Sequence, residues 1–109
     1  MKNGKYLIAG NTYYYFNGVY HREDGPAREF IDGSKEYWFD GKRHRLDGPA
    51  IIKANGDSYW YTNNYLHRID GPAIEEFSDG EFAYYYNGEY IPADSLEEFK
   101  RYINLLIFA

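Results

Sequence analysis

The sequence predicts an all-β fold: a single twisted antiparallel sheet, a meander of β-hairpin repeats of 23 residues, closed by one C-terminal capping α-helix. Three observations predict it. The heptapeptide His-Arg-x-Asp-Gly-Pro-Ala occurs three times, starting at His21, His44 and His67, at a constant step of 23 residues. An aromatic run and a two-residue turn precede each copy and return once more after the last. Past Pro92 the pattern changes to helical spacing. A fixed period in this range marks a repeat architecture, in which each unit is one supersecondary motif that buries its faces against its neighbours.

The 109 residues read as one repeat domain, divided into an N-terminal strand and turn (5–12), the repeats (13–91) and the helix (95–108). Lys5 to Ala9 predicts a short strand, with Gly10 and Asn11 as its turn. The aromatic runs Tyr13 to Phe16, Tyr37 to Phe39, Tyr59 to Tyr61 and Tyr84 to Tyr86 predict strands. They end at Asn17-Gly18, Asp40-Gly41, Asn63-Asn64 and Asn87-Gly88. These residue types tolerate positive φ at both central positions of a type I′ hairpin turn. After each corner motif a further extended segment runs to Asp32-Gly33, Asn55-Gly56 or Asp79-Gly80. The third unit has one more residue between Ala73 and Gly80 than the others, which predicts a β-bulge. Large side chains at successive positions, as in Tyr37-Trp38-Phe39, predict aromatic side chains on both faces of the sheet.

Ser95-Leu-Glu-Glu98 has the form of a capping box, and Leu96, Phe99, Ile103 and Leu106 fall on one helical face. A helix there caps the last repeat, as solenoid-like proteins require. Leu105, Ile107 and Phe108 lie off that stripe, and predict either a helix clasped on two sides or a homodimer through the C-terminal helix.

Composition narrows the functional classes. There is no cysteine, so disulfides and thiolate chemistry are excluded. The N-terminal apolar run is too short for a signal peptide, and no stretch approaches the roughly 20 apolar residues of a membrane span, so the expected location is cytoplasmic, with no membrane partner. Aromatics are 21% of the chain, and 14 of them are tyrosines, whose apolar body and polar tip suit half-wet positions in a thin structure. Charge is polarised. Residues 1–54 hold nine Lys/Arg against seven Asp/Glu, and residues 55–109 hold three against ten, for a net charge of −5. An acidic end of this kind suits a basic partner.

Tyr-x-x-Gly-x-x-His at a 23-residue step, with Phe39-Asp-Gly-Lys-Arg-His44 as its clearest copy, resembles the MORN repeat (membrane occupation and recognition nexus). The resemblance spans about Tyr13 to Tyr90. Where MORN repeats continue His-Gly-x-Gly, this chain has His-Arg-x-Asp-Gly-Pro-Ala, similar to a variant in small phage and bacterial proteins that end in a short helix. The resemblance implies a β-hairpin ribbon acting as an interaction or dimerisation scaffold. It also implies a possible phage origin, with a role as an inhibitor of a host or defence protein in the host cytoplasm. Phosphoinositide binding, proposed for such proteins, is opposed here by the acidic balance, because anionic lipid surfaces attract basic patches.

Several residues are candidates for chemistry. His21, His44 and His67 with Asp24, Asp47 and Asp70 have the composition of a general-base pair, but a threefold repetition favours a structural corner, and no catalytic residue is assigned. Equivalent histidines in successive two-strand units stand about 9–10 Å apart, too far to share one metal ion, so no metal or other cofactor is expected. Nucleic acid is opposed by the scarcity of basic residues. The reading is therefore a non-enzymatic protein-binding module. Its expected anchors are Trp38, Trp60, Tyr61 and Tyr85 along the sheet and Leu105 and Phe108 at the helix. Two alternatives stand beside it. One is a protein that sequesters a nucleotide or signal molecule on Arg22, Arg45 and Arg68, and the other is a self-assembling scaffold.

Overall fold

The structure is a computed structural model that describes residues 1–108, the last of these by its backbone only. Fourteen strands and one helix follow in order: β1 (Gly4–Ile8), β2 (Asn11–Phe16), β3 (Val19–Tyr20), β4 (Arg28–Glu29), β5 (Lys35–Glu36), β6 (Trp38–Phe39), β7 (Lys42–Arg43), β8 (Ile51–Ile52), β9 (Ser58–Tyr59), β10 (Tyr61–Thr62), β11 (Tyr65–Leu66), β12 (Ile74–Glu76), β13 (Glu81–Tyr86), β14 (Glu89–Ile91) and α1 (Leu96–Phe108). Every strand pairing is antiparallel, and the long sheet runs β1-β2-β4-β5-β8-β9-β12-β13-β14, with β3 on β2. The pairs β6-β7 and β10-β11 form the upper halves of the second and third aromatic hairpins. This is the predicted meander with its terminal helix.

The hairpins are joined sideways by the backbone. The N–H groups of Arg22, Arg45 and Arg68 donate to the carbonyls of Trp38, Tyr61 and Tyr85, the next aromatic strand in each case, at 3.1, 3.0 and 3.3 Å. All four aromatic hairpins turn through two residues of positive φ, as at Asn17 (49°) and Gly18 (81°). Non-glycine residues enter this region at low cost only when a short polar side chain hydrogen-bonds locally, which explains the Asn and Asp at the first position.

Two turns differ from expectation. The first lies at Ala9-Gly10 rather than Gly10-Asn11, because Ile8 pairs with Asn11. An alanine is tolerated at φ 52° there because the two-residue loop demands it. The extra residue of the third unit makes no bulge within a strand. It lengthens the loop between Glu76 and Glu81, which pair directly, where the first two units close with Phe30 opposite Ser34 and Lys53 opposite Asp57. The loop absorbs the residue more cheaply because both flanking strands keep their side-chain phase.

The fold is thin, 45 × 31 × 18 Å, and its buried apolar residues are few. Ala27, Ala50 and Ala73, the last residues of the three corner motifs, are fully buried. Their carbonyls accept from the N–H groups of Tyr14, Tyr37 and Trp60 at 2.8, 2.6 and 2.8 Å. The corner therefore lies flat on the aromatic strand, and only a methyl group fits between. Ala50→Leu should overpack this contact and destabilise the protein by about 1–3 kcal/mol, read as a lower midpoint in urea at an unchanged slope. An unaltered midpoint would show that the corner is loosely seated.

The remaining core is the helix contact. Phe99, Ile103 and Ile91 are buried, with Tyr84, Tyr86, Ala93 and Leu96 against them. Ser95 caps the helix, its hydroxyl accepting from the Glu98 N–H at 3.2 Å. Leu106, expected on the buried stripe, is half exposed, as are Tyr102, Leu105 and Ile107. Burial on the helix is therefore confined to its first turns, through Ile103.

Candidate functional site

The three corner motifs build the same structure three times. In each, the Arg guanidinium lies over an aromatic ring of the preceding strand: Arg22 on Tyr14 at 4.0 Å, Arg45 on Tyr37 at 4.0 Å and Arg68 on Trp60 at 3.9 Å. Arg Nε donates to the Asp two residues on, at 3.0, 3.2 and 2.9 Å. Arg Nη1 donates to the Pro carbonyl four residues on, at 3.1 Å each time. Arg22 and Arg68 also pair with Glu29 and Glu75. Ile52 stands at the matching place for Arg45. The Asp thus holds the guanidinium within the loop. Gly is needed between them, because a Cβ on Gly48 would stand 2.6 Å from Arg45 Cζ.

This arrangement leaves little of the arginines for a ligand. Each has one face on a ring and two nitrogens spent within its own loop. The free groups are the aspartates, whose side chains are 86%, 89% and 71% exposed at Asp24, Asp47 and Asp70.

The histidines fasten each repeat to the next. The N–H groups of Asp40, Asn63 and Asn87 donate to Nδ1 of His21, His44 and His67 at 2.9, 3.0 and 2.9 Å. An Nδ1 that accepts this bond carries no hydrogen of its own, so the ring N–H that remains is at Nε2. The rings also pack at a tilt against aromatic side chains, His21 on Phe39 at 4.4 Å and His67 on Tyr86 at 5.0 Å. Burial holds the His67 imidazole below its ordinary value of 6.5. The unfolded chain then binds more protons than the folded one as pH falls through about 6.5, so stability present above that pH is lost below it. Urea titrations at about pH 7.5 and 5.5 should show a fall in stability that His67→Asn reduces. A drop of equal size in that variant would refute this role for His67.

A second row laces the opposite edge and was not foreseen. Asn11, Ser34 and Asp57 accept from the N–H groups of Ile31, Ala54 and Ser78 at 2.9, 3.0 and 3.3 Å. Burial pushes the Asp57 carboxyl up, but hydrogen bonds from Ser78 and Asn55 outweigh it and hold the group below its usual value. The 23-residue step of Asn11, Ser34 and Asp57 carries this signal in the sequence.

The predicted anchors divide between two faces. Trp38, Tyr61 and Tyr85 occupy equivalent positions of successive repeats and share one face. All three are half-buried there: Trp38 packs on Tyr20 at 5.4 Å and donates Nε1–H to Glu36, Tyr61 carries Arg43 at 4.2 Å, and Tyr85 meets Tyr90 at 5.6 Å. Trp60, one residue before Tyr61, points to the other face and is taken up by Arg68. Leu105 is 67% exposed in the second half of the helix. The side chain of Phe108 lies outside the described residues. Among the described residues no three His, Asp or Glu side chains converge as metal ligands would, and no helix is long and apolar enough to cross a membrane.

The face with the corner loops carries what sequence reasoning missed. The x of His-Arg-x-Asp is Glu23, Leu46 and Ile69 in turn, and the last two are 77% and 60% exposed at the loop tips. Between the first and second loops lies a groove of about 420 Å³, floored by Tyr37 and Phe39 and walled by Leu46. Between the second and third lies another of about 330 Å³, with Trp60, Thr62 and Ile69. The apolar x residues were legible, but their exposure depends on the loop closing around its arginine. Compared with protein-family models, curated proteins and solved structures, the chain finds no match.

Proposed function

We propose that the chain is a non-enzymatic, MORN-like repeat module that binds another protein. The observation that carries this reading is the pair of apolar side chains, Leu46 and Ile69, held in water at the tips of rigid loops. Leu46 lines both grooves between the loops and Ile69 the second, and contiguous apolar surface in a groove marks an interaction site. The polar groups that would serve catalysis are spent on structure: histidine Nδ1 on backbone N–H groups, and arginine on its own loop. The same engagement speaks against nucleotide capture by Arg22, Arg45 and Arg68.

Affinity capture tests the reading. Immobilised protein should retain a protein from lysate that an unrelated acidic domain of the same size does not. Retention of none, together with a clear thermal shift on adding millimolar nucleotide, would overturn it in favour of small-ligand binding.

A further inference from the structure

We propose that the corner-loop face docks an extended partner segment in polyproline II conformation, with Lys or Arg at every third residue, laid across the three loops. This rests on the protein-binding reading and adds to it the face and the chemistry of the partner.

The spacing of the loops carries the inference. The backbone bonds from Arg22, Arg45 and Arg68 to the next aromatic strand place each loop two strand widths from its neighbour. Strands lie about 4.7–4.9 Å apart, so the loops repeat at about 9.5 Å. A polyproline II helix has three residues per turn and rises about 3.1 Å per residue, so every third side chain recurs at about 9.3 Å on one side. Two turns of an α-helix advance about 10.8 Å and drift out of step by more than 1 Å per loop. A β-strand repeats one face at about 6.8 Å and misses the loops altogether.

The chemistry agrees with that register. Each loop presents one carboxylate, Asp24, Asp47 or Asp70, oriented through its Oδ1 by the Arg of the same loop and otherwise open to water. Each is ion-paired with its own Arg on one oxygen, and its exposed second oxygen can accept from a basic side chain at the same pitch. Between them the two grooves are lined by Phe39 and by Tyr37 and Trp60, the latter two beneath their arginines. Aromatic-lined grooves are the usual receivers of polyproline II segments, whose stiffness lowers the entropic cost of docking. Leu46 and Ile69 form the apolar walls, and Glu23 adds a second anion at the first loop, so the most basic end of the segment lies there. The acidic surplus of residues 55–109 adds to the attraction at the third loop.

The test uses a defined probe, the nonapeptide (Lys-Pro-Leu)₃, against a peptide of identical composition with its three lysines clustered at one end. Isothermal titration should give the regular peptide an affinity at least tenfold higher. Asp24→Asn, Asp47→Asn and Asp70→Asn together should reduce it about tenfold, since exposed charge pairs are weak individually. Asparagine keeps an oxygen for the Arg Nε bond, so the loops should stay formed. Leu46→Ser, at an exposed tip, should weaken binding several-fold without touching the fold. Equal affinity for both peptides, no binding at about 1 mM, or unchanged affinity in both variants would overturn the proposal. If a protein is captured by the wild type and Leu46→Ser retains it equally, the docking face is wrong while the protein-binding reading survives.

Discussion

Phe99→Ala should lower stability by about 3–5 kcal/mol, the range for removing a buried aromatic ring. For a small domain this is a large share of a total of roughly 5–15 kcal/mol. Phe99 is the only large side chain among the described residues that is completely buried. Its ring lies 4.8 Å from that of Tyr84. The position of Tyr84 gives this contact its meaning. Tyr14, Tyr37, Trp60 and Tyr84 are equivalent residues of successive repeats, and the first three are covered by the arginines of the corner loops. The fourth repeat has no corner motif: Ile91 stands where the next His would be, and the chain turns into α1. Phe99 thus takes the place of a fourth arginine. With Ala there, the ring of Tyr84 loses its cover and the helix loses its anchor, because Ile103 and Leu96 alone bury little. Circular dichroism near the helical minimum should fall together with the urea midpoint. A variant that loses less than about 1 kcal/mol would show that the helix is not the cap of the ladder.

Much of this was legible because a repeat states each local rule several times. The turns at Asn17, Asp40, Asn63 and Asn87 follow from residue type alone. The helix start at Ser95 follows from its cap. What escaped was side-chain direction. Trp60 and Tyr61 are neighbours in sequence and so share their chemistry, but strand alternation sends them to opposite faces, one under Arg68 and one under Arg43. The period of two predicts aromatic side chains on both faces, but it does not say which ring an arginine covers. The histidines show the same limit differently. Their spacing was plain, yet the acceptor role of Nδ1 depends on a backbone N–H 19 or 20 residues away. The exposure of Leu46 and Ile69 likewise follows from a loop propped by a guanidinium, which no local propensity encodes.

Arg68→Ala should cost about 2–4 kcal/mol, more than an ordinary surface substitution. Arg68 makes four kinds of contact at once: Nε to Asp70 at 2.9 Å, Nη1 to the Pro72 carbonyl at 3.1 Å and to Glu75 at 2.8 Å, and its plane on Trp60 at 3.9 Å. Hydrogen bonds to charged groups contribute about 1.5–3 kcal/mol each, and a cation over an indole about 0.5–2 kcal/mol. Asp70 is mostly exposed and Glu75 partly so, and solvent screening of these pairs brings the total below that sum, to about 2–4 kcal/mol. Arg68→Lys should recover little. An ammonium carries the same charge but has no planar fork with which to hold Asp70 and Pro72 while lying flat on a ring. Gly71→Ala offers the complementary perturbation: its new Cβ would stand 2.7 Å from Arg68 Cζ, so the charge stays and the stacked geometry goes. If the loop is held by geometry, Arg68→Lys and Gly71→Ala should both lose stability and both raise the exposure of Trp60, seen as a red shift of its fluorescence. If Arg68→Lys were as stable as the wild type, charge alone would hold the corner, and the fork that orients Asp70 towards solvent would have no structural role.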